Sequence, residues 1–200
     1  MGNIDKFETI AAQYDTPERI RVAKVISDAI RAQLVDTKTK SAVDFGCGTG
    51  LVGLNLLNDF RSILFLDASQ NMTDQVNQKI SDMKAQNAQT LCFDFEKGSL
   101  PDLHTDYIFM AQVLLHIADY RPVLDKLYDV LNPGGHLIII DFDRNEKVKS
   151  EMVHNGFDQD MLAAEMMNVG YESVASKTFF YGSNIFMGQD ASLFILNAKK

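Results

Sequence analysis

A strand-like run at residues 42–45, carrying one acid, Asp44, leads straight into Gly46-Cys47-Gly48-Thr49-Gly50. Each missing Cβ removes a clash, so the turn lets ligand atoms approach the backbone closely. The segments that follow alternate in period. Residues 51–57 read as a helix, 63–66 as a strand, and Met72, Val76, Ile80 and Met83 as the stripe of an amphipathic helix. Residues 90–93 and 107–113 read as strands. Asp119 is placed to cap a helix carrying Val123, Leu124, Leu127, Tyr128 and Leu131, and Asn132-Pro133-Gly134-Gly135 breaks that helix before a strand at 137–141. Strands alternating with helices of this length predict an α/β fold, a doubly wound and mostly parallel sheet with helices on both faces.

The two ends differ from this middle. Phe7, Ile10, Ala11 and Tyr14 have helical spacing, and Thr16-Pro17-Glu18 opens a second helix with Thr as N-cap and Pro at the first position. At the other end, residues 158–169 form a helix stopped by Gly170. Two strand-like runs, 172–181 and 192–198, follow with no helix between them, separated by the turn-rich Gly182-Ser183-Asn184 and Gly188-Gln189-Asp190, so they are expected to pair as an antiparallel hairpin. The 200 residues, without a Pro/Gly/Ser-rich linker, predict one domain over 1–200, with a helical cap over 1–35 and a core over 40–200.

Charge narrows the partners. The 27 acids against 19 bases give a net charge of −8, and no basic patch interrupts it. Nucleic acid and anionic membranes are therefore disfavoured. Two cysteines, Cys47 and Cys92, make no disulfide framework, and the polar N-terminal residues lack an apolar signal region. The expectation is a cytoplasmic monomer or homodimer. Asp141 and Asp143 are too few ligands for a cation and read as solvated loop acids or substrate contacts, so no metal is expected.

Acids end the strands beside the glycine loop. Leu51 stands where a dinucleotide fingerprint needs its third glycine, which weighs against a nicotinamide or flavin dinucleotide. Asp67 ends the second strand, where an acceptor for two ribose hydroxyls belongs; the alternative is a cap on the next helix. Asp94 ends the third strand, with Phe95 next to it. It is either an acceptor for an exocyclic adenine amine or a turn residue.

Taken together, Val43-Asp44-Phe45-Gly46-Cys47-Gly48-Thr49-Gly50, Asp67 with Met72 five residues on, Asp94, and Leu131-Asn132-Pro133-Gly134-Gly135-His136-Leu137 resemble the class I S-adenosylmethionine-dependent methyltransferases. Residues 7–15 are similar to the N-terminal cap of that family's small-molecule branch. The resemblance implies a seven-stranded sheet ending in an antiparallel hairpin, S-adenosylmethionine as cofactor and a small-molecule methyl acceptor. It implies that Asp44, Gly46, Cys47, Gly48 and Gly50 lie under the cofactor's methionine half and that Asp67 and Ala68 lie at its ribose. Met72 would pack on adenine, Asp94 and Phe95 would meet the adenine edge, and Gln112 would lie near the methionine end.

After the fourth strand, Met110-Ala111-Gln112-Val113 lacks the Pro-Pro-Tyr of amino-methylating nucleic-acid enzymes and the Pro-Cys of cytosine-C5 enzymes. Tyr14, His116 and His154 are the candidates for the methyl-transfer pocket. Each histidine has a structural alternative, packed against the sheet or at a helix entry. Phe179, Phe180, Tyr181 and Phe186 are candidates for an apolar substrate wall, or for core. A non-catalytic cofactor-binding module on the same fold remains the alternative function.

Overall fold

The structure, a computed structural model, describes residues 4–94 and 102–200. Its strands are β1 (Ser41–Phe45), β2 (Ser62–Asp67), β3 (Ala88–Cys92), β4 (Thr105–Ala111), β5 (Leu131–Phe142), β6 (Glu172–Phe186) and β7 (Gln189–Lys199). They form one seven-stranded sheet in the order β3-β2-β1-β4-β5-β7-β6. The first five are parallel, and β7 runs antiparallel to both β5 and β6. The α/β fold with an antiparallel finish is as expected.

Burial explains the middle of the sheet. Tyr107, Ile108, Phe109 and Met110 of β4 and Leu137, Ile138, Ile139 and Ile140 of β5 are all buried, on both faces, as parallel strands covered by helices require. Helix α1 (Ile4–Ile10) continues as a 3-10 turn at Ala11–Gln13. Helix α2 (Pro17–Arg31) starts as its sequence dictates, with the Thr16 hydroxyl accepting from the Arg19 amide at 3.3 Å and Pro17 in the first turn. Its buried stripe is Val22, Ala23, Ile26 and Ile30. Helix α3 (Gln70–Met83) is capped by Ser69, whose hydroxyl accepts from the Met72 amide at 3.2 Å. Helices α4 (Arg121–Val130) and α5 (Gln159–Val169) complete the layers.

Three expectations need correction. The run at 51–57 is a 3-10 helix, Gly53–Asp59, whose Gly53 amide goes to the Asp44 carboxylate at 3.0 Å instead of to a carbonyl of the preceding turn. Asp119 does not cap α4: the cap position is Tyr120, and Pro122 in the first turn sets the entry. Residues 182–184 do not turn the chain. They form a bulge within β6, and the reversal is made by Met187 and Gly188, both left-handed at φ 52° and 75°, between the paired Phe186 and Gln189.

Among the described residues, no helix is long and apolar enough to cross a membrane.

Candidate active site

The sheet order reverses direction between β1 and β4, and open α/β sheets bind ligands at the carboxyl ends of the strands at such a point. A cavity of about 640 Å³ lies there, within the usual range for small-molecule sites. Tyr14, Gly46, Cys47, Gly48, Asp67, Ala68, Met72, Asp94, Gln112 and His116 all line it. Asp44, Gly50 and His154 do not, and Phe95 lies outside the described residues.

The glycine loop is held in an unusual shape. Gly48 has φ +53°, and a Cβ built on it would meet only Tyr14 Cε1, 3.9 Å away. Its open side faces the cavity, so the backbone itself is presented to whatever enters. Gly46, by contrast, is closed off: its Cβ would stand 2.6 Å from the Val113 side chain. Cys47 is buried and its thiol points to the Gly48 carbonyl at 3.5 Å. Burial raises its pKa, which removes it as a nucleophile.

Asp67 organises the loop. Its Oδ2 accepts the Gly48 amide at 2.8 Å and its Oδ1 accepts the Ser69 amide at 2.9 Å. Ser69, not Asp67, therefore caps α3. Burial raises the Asp67 pKa, opposed by amide bonds from Ser69, Gly48 and Ala68. Asp44 stands behind the loop, 2 % exposed. Burial, with Asp67 adding to it against the Gly53 bond, raises its pKa to about 8. Gly53 is required beneath it, since a Cβ there would lie 2.5 Å from Asp44 Oδ2 and 2.6 Å from the Phe65 ring.

The N-terminal segment forms the opposite wall. Tyr14 is half-buried, and the loss of solvent around its phenol raises its pKa; the Arg19 guanidinium sits 4.2 Å over its ring while donating to the Tyr14 carbonyl at 2.9 Å. Phe7 meets the His116 ring edge-on at 5.2 Å. Four partners of this wall were invisible in the sequence. Glu8 Oε1 accepts the Gln70 amide at 2.6 Å, and the Asn71 side chain donates to the Glu8 carbonyl at 2.9 Å. The wall is thus tied to the N-terminus of α3. Asp15 accepts from the Thr49 hydroxyl and from Lys79 Nζ, the latter at 2.6 Å. These pairs span 34 to 64 residues, beyond any local pattern.

Beyond β4, Gln112 holds a left-handed φ of 57° while its amide donates to the Ile140 carbonyl at 2.7 Å. That conformation is costly for a residue with a side chain and marks a constrained position. His154 points away from the cavity. A carbonyl only accepts, so its Nε2 carries the hydrogen and donates to Ile117 O at 2.9 Å, with Tyr120 and Phe157 packed around the ring. Asp141 is not a solvated loop acid. It is fully buried, accepts the Phe142 amide at 2.8 Å and the Leu115 amide at 3.1 Å, and its pKa is raised by burial to about 7. Asp143 is likewise engaged, by Gln159, Thr178 and Ser192. Of the late aromatics, Phe186 lines the cavity, whereas Phe179, Phe180 and Tyr181 do not. Among the described residues, no cluster of three His, Cys, Asp or Glu side chains is placed to hold a metal.

Residues 43–137 match the family model of a methyltransferase domain. An uncharacterised methyltransferase of Schizosaccharomyces pombe is 25% identical over 181 residues, covering 70% of this chain and 64% of that protein. Demethylmenaquinone methyltransferase of a Geobacillus species is 27% identical over 142 residues, covering 68% of this chain and 60% of that protein. The chain thus spans about three fifths of the length of the curated relatives it matches. Among solved structures, a SAM-dependent methyltransferase from Aquifex aeolicus matches with a TM-score of 0.72 at 18% identity, covering 96% of this chain and 97% of the other. One from Thermotoga maritima matches at 0.73 and 19%, covering 98% and 99%. Those two share the fold, and the sequence match to a methyltransferase domain runs from β1 into β5 across the glycine loop.

Proposed function

We propose that the protein transfers a methyl group from S-adenosylmethionine to a small-molecule acceptor. The observation that carries this reading is the open face of Gly48 beside Asp67, at the floor of a cavity that continues beyond β4. A nucleoside with a polar tail fits the donor set. Asp67 has lone pairs left for ribose hydroxyls after its two amide bonds, and Asp94 is an acceptor at the end of β3 for an adenine amine. Met72, 1 % exposed, supplies an apolar contact for the base. The acids Asp67, Asp94 and Glu18 line the same cavity and favour a cationic ligand over an anionic one.

When bound, the group supplies a sulfonium methyl already activated for in-line displacement, its sulfur leaving as a neutral thioether. The protein's task is then to align the acceptor and exclude water. Tyr14 and Phe7 close one side of the cavity, and Gln112 fixes the chain at the end of β4. His116 is the cavity-lining imidazole, placed to take the proton that an O–H, N–H or S–H acceptor loses as its new bond to carbon forms. The net charge of −8 supports a small molecule, not nucleic acid, as the partner.

The test is turnover. Protein incubated with methyl-labelled S-adenosylmethionine and a fractionated metabolite pool is expected to yield S-adenosylhomocysteine and one labelled product in equal amounts. Tight cofactor binding with no turnover in any fraction would favour a non-catalytic binding module.

A further inference from the structure

Gln112 and His116 line the cavity from a short connection that follows β4. Its middle, Leu114–His116, is a single 3-10 turn. Within it the His116 amide donates to the Val113 carbonyl at 2.9 Å and the Ile117 amide to the Leu114 carbonyl at 3.1 Å. One such turn has poor bond geometry and does not hold its place unaided.

Two side chains outside the cavity supply what the turn lacks. The Asp141 carboxyl group accepts the Leu115 amide at 3.1 Å and the Leu114 amide, while its other oxygen accepts the Phe142 amide at 2.8 Å. The carbonyls of the turn go to His154. Its amide donates to the Leu115 carbonyl at 2.9 Å and its Nε2 to the Ile117 carbonyl at 2.9 Å. Both holders are themselves fixed. Asp141 is paired with Phe194 of β7 inside the sheet, and the His154 ring packs against Tyr120 and Phe157. Taking an acid fully out of water is unfavourable unless its bonds are met, and two of the three amides that meet them belong to this turn.

Resting on the methyl-transfer reading, we infer that Asp141 and His154 are positioning residues for the reaction. Neither lines the cavity. Together they fix the turn that carries Gln112 and His116, and so set the alignment of the acceptor with the transferred methyl group. A misplacement of about 1 Å in such a site lowers the rate about a hundredfold. The contacts offered to the cofactor by Gly48 and Asp67 belong to the ends of β1 and β2 and are held by separate bonds.

The experiment measures methyl transfer from labelled S-adenosylmethionine to the metabolite fraction that the wild type methylates fastest. S-adenosylhomocysteine is titrated into the same proteins by calorimetry. His154→Phe keeps a ring against Tyr120 and Phe157 but removes the donor to Ile117. His154→Gln carries an amide N–H in place of Nε2–H. Asp141→Asn turns an NH2 group, which accepts nothing, toward one of the three amides. His154→Phe and Asp141→Asn are expected to lower the maximal rate about ten- to hundredfold. Their affinity for S-adenosylhomocysteine and their half-saturating S-adenosylmethionine concentration are expected to stay within about threefold of the wild type. His154→Gln is expected to recover most of the wild-type rate. A folded His154→Phe or Asp141→Asn protein that keeps the wild-type rate overturns the inference. So does a His154→Gln protein no faster than His154→Phe, or an S-adenosylhomocysteine affinity that falls as far as the rate. Should either slow variant fail to fold, the other decides. A wild type that binds S-adenosylhomocysteine but methylates no fraction removes the methyl-transfer reading, and the inference with it. A wild type that turns over while the variants keep pace removes the inference alone.

Discussion

Lys79 Nζ lies 2.6 Å from Asp15 Oδ2 and 2.7 Å from the carbonyl oxygen of Thr49, so one ammonium joins α3, the glycine loop and the N-terminal segment. Both side chains are about a quarter to a third exposed, so the pair is partly screened. Helix α1 is too short to be stable alone and is held by what it covers. Asp15→Ala is expected to speed amide exchange over residues 7–15 roughly three- to tenfold, and Lys79→Ala to do the same. In a double-mutant cycle the two are expected to couple by about 0.5–1 kcal/mol. S-adenosylhomocysteine is expected to slow the same exchange in the wild type. Exchange that is slow and indifferent to both the mutations and the ligand would identify a permanently docked helix.

Asp67 has a double role, which changes what its removal does. Read from sequence alone, Asp67→Ala weakens the cofactor and spares the fold. With the Gly48 and Ser69 amides both bonded to it, the same change also strands two partly buried donors. The variant is expected to lose about 1–3 kcal/mol of stability in urea titrations. Its affinity for S-adenosylhomocysteine is expected to fall about ten- to hundredfold. A variant as stable as wild type would mean that water satisfies these amides.

Two glycines separate packing from binding. Gly53→Ala drives a Cβ into Asp44 and Phe65, and is expected to cost about 1–3 kcal/mol by overpacking. Gly48→Ala meets nothing closer than 3.9 Å and carries only the left-handed backbone penalty, about 1–2 kcal/mol. That methyl group projects into the cavity. The variant is expected to fold and to lose the melting-temperature increase that S-adenosylhomocysteine gives the wild type.

Asp44 and Asp141 set a pH dependence of known sign. Both folded-state pKa values are raised, to about 8 and about 7, from an ordinary 3.8. Between those limits the unfolded chain has released the protons and the folded chain has kept them. Stability is therefore greatest at low pH as far as these two acids are concerned, and is lost as pH rises through 4 to 8. The slope for one proton is at most about 1.4 kcal/mol per pH unit. Asp44→Asn keeps an acceptor for the Gly53 amide and cannot ionise. Its denaturation midpoint is expected to fall less steeply from pH 5 to pH 8 than that of the wild type. Parallel pH profiles would show that Asp44 is ionised throughout.

What the sequence disclosed was whatever a local pattern encodes. The Thr16 cap, the stripe of α2, the glycine loop after β1 and the helix-free pair of final strands are each written within one short consecutive stretch. Burial of side chains on either side of the sheet then made those patterns structural. The rest depends on pairings between distant segments. The Asp44–Gly53 bond takes the amide that opens the 3-10 helix, and the Ile117 carbonyl, 37 residues from His154, decides that histidine's direction. Asp141 looked solvated because an acid after a strand usually is. Its burial follows from the 3-10 turn at Leu114–His116, whose Leu115 amide needs an acceptor. Glu8 and Asp15 gave no sign of their roles, since an exposed-looking acid on a short helix or in the connection after it is ordinary until its partner across the fold is known.

The most direct test of the central claim is calorimetric titration of the wild-type protein with S-adenosylhomocysteine, alongside NAD. The account predicts saturable one-site binding of S-adenosylhomocysteine that Gly48→Ala abolishes, and no heat with NAD. Binding of NAD without S-adenosylhomocysteine, or S-adenosylhomocysteine binding indifferent to Gly48→Ala, would contradict it.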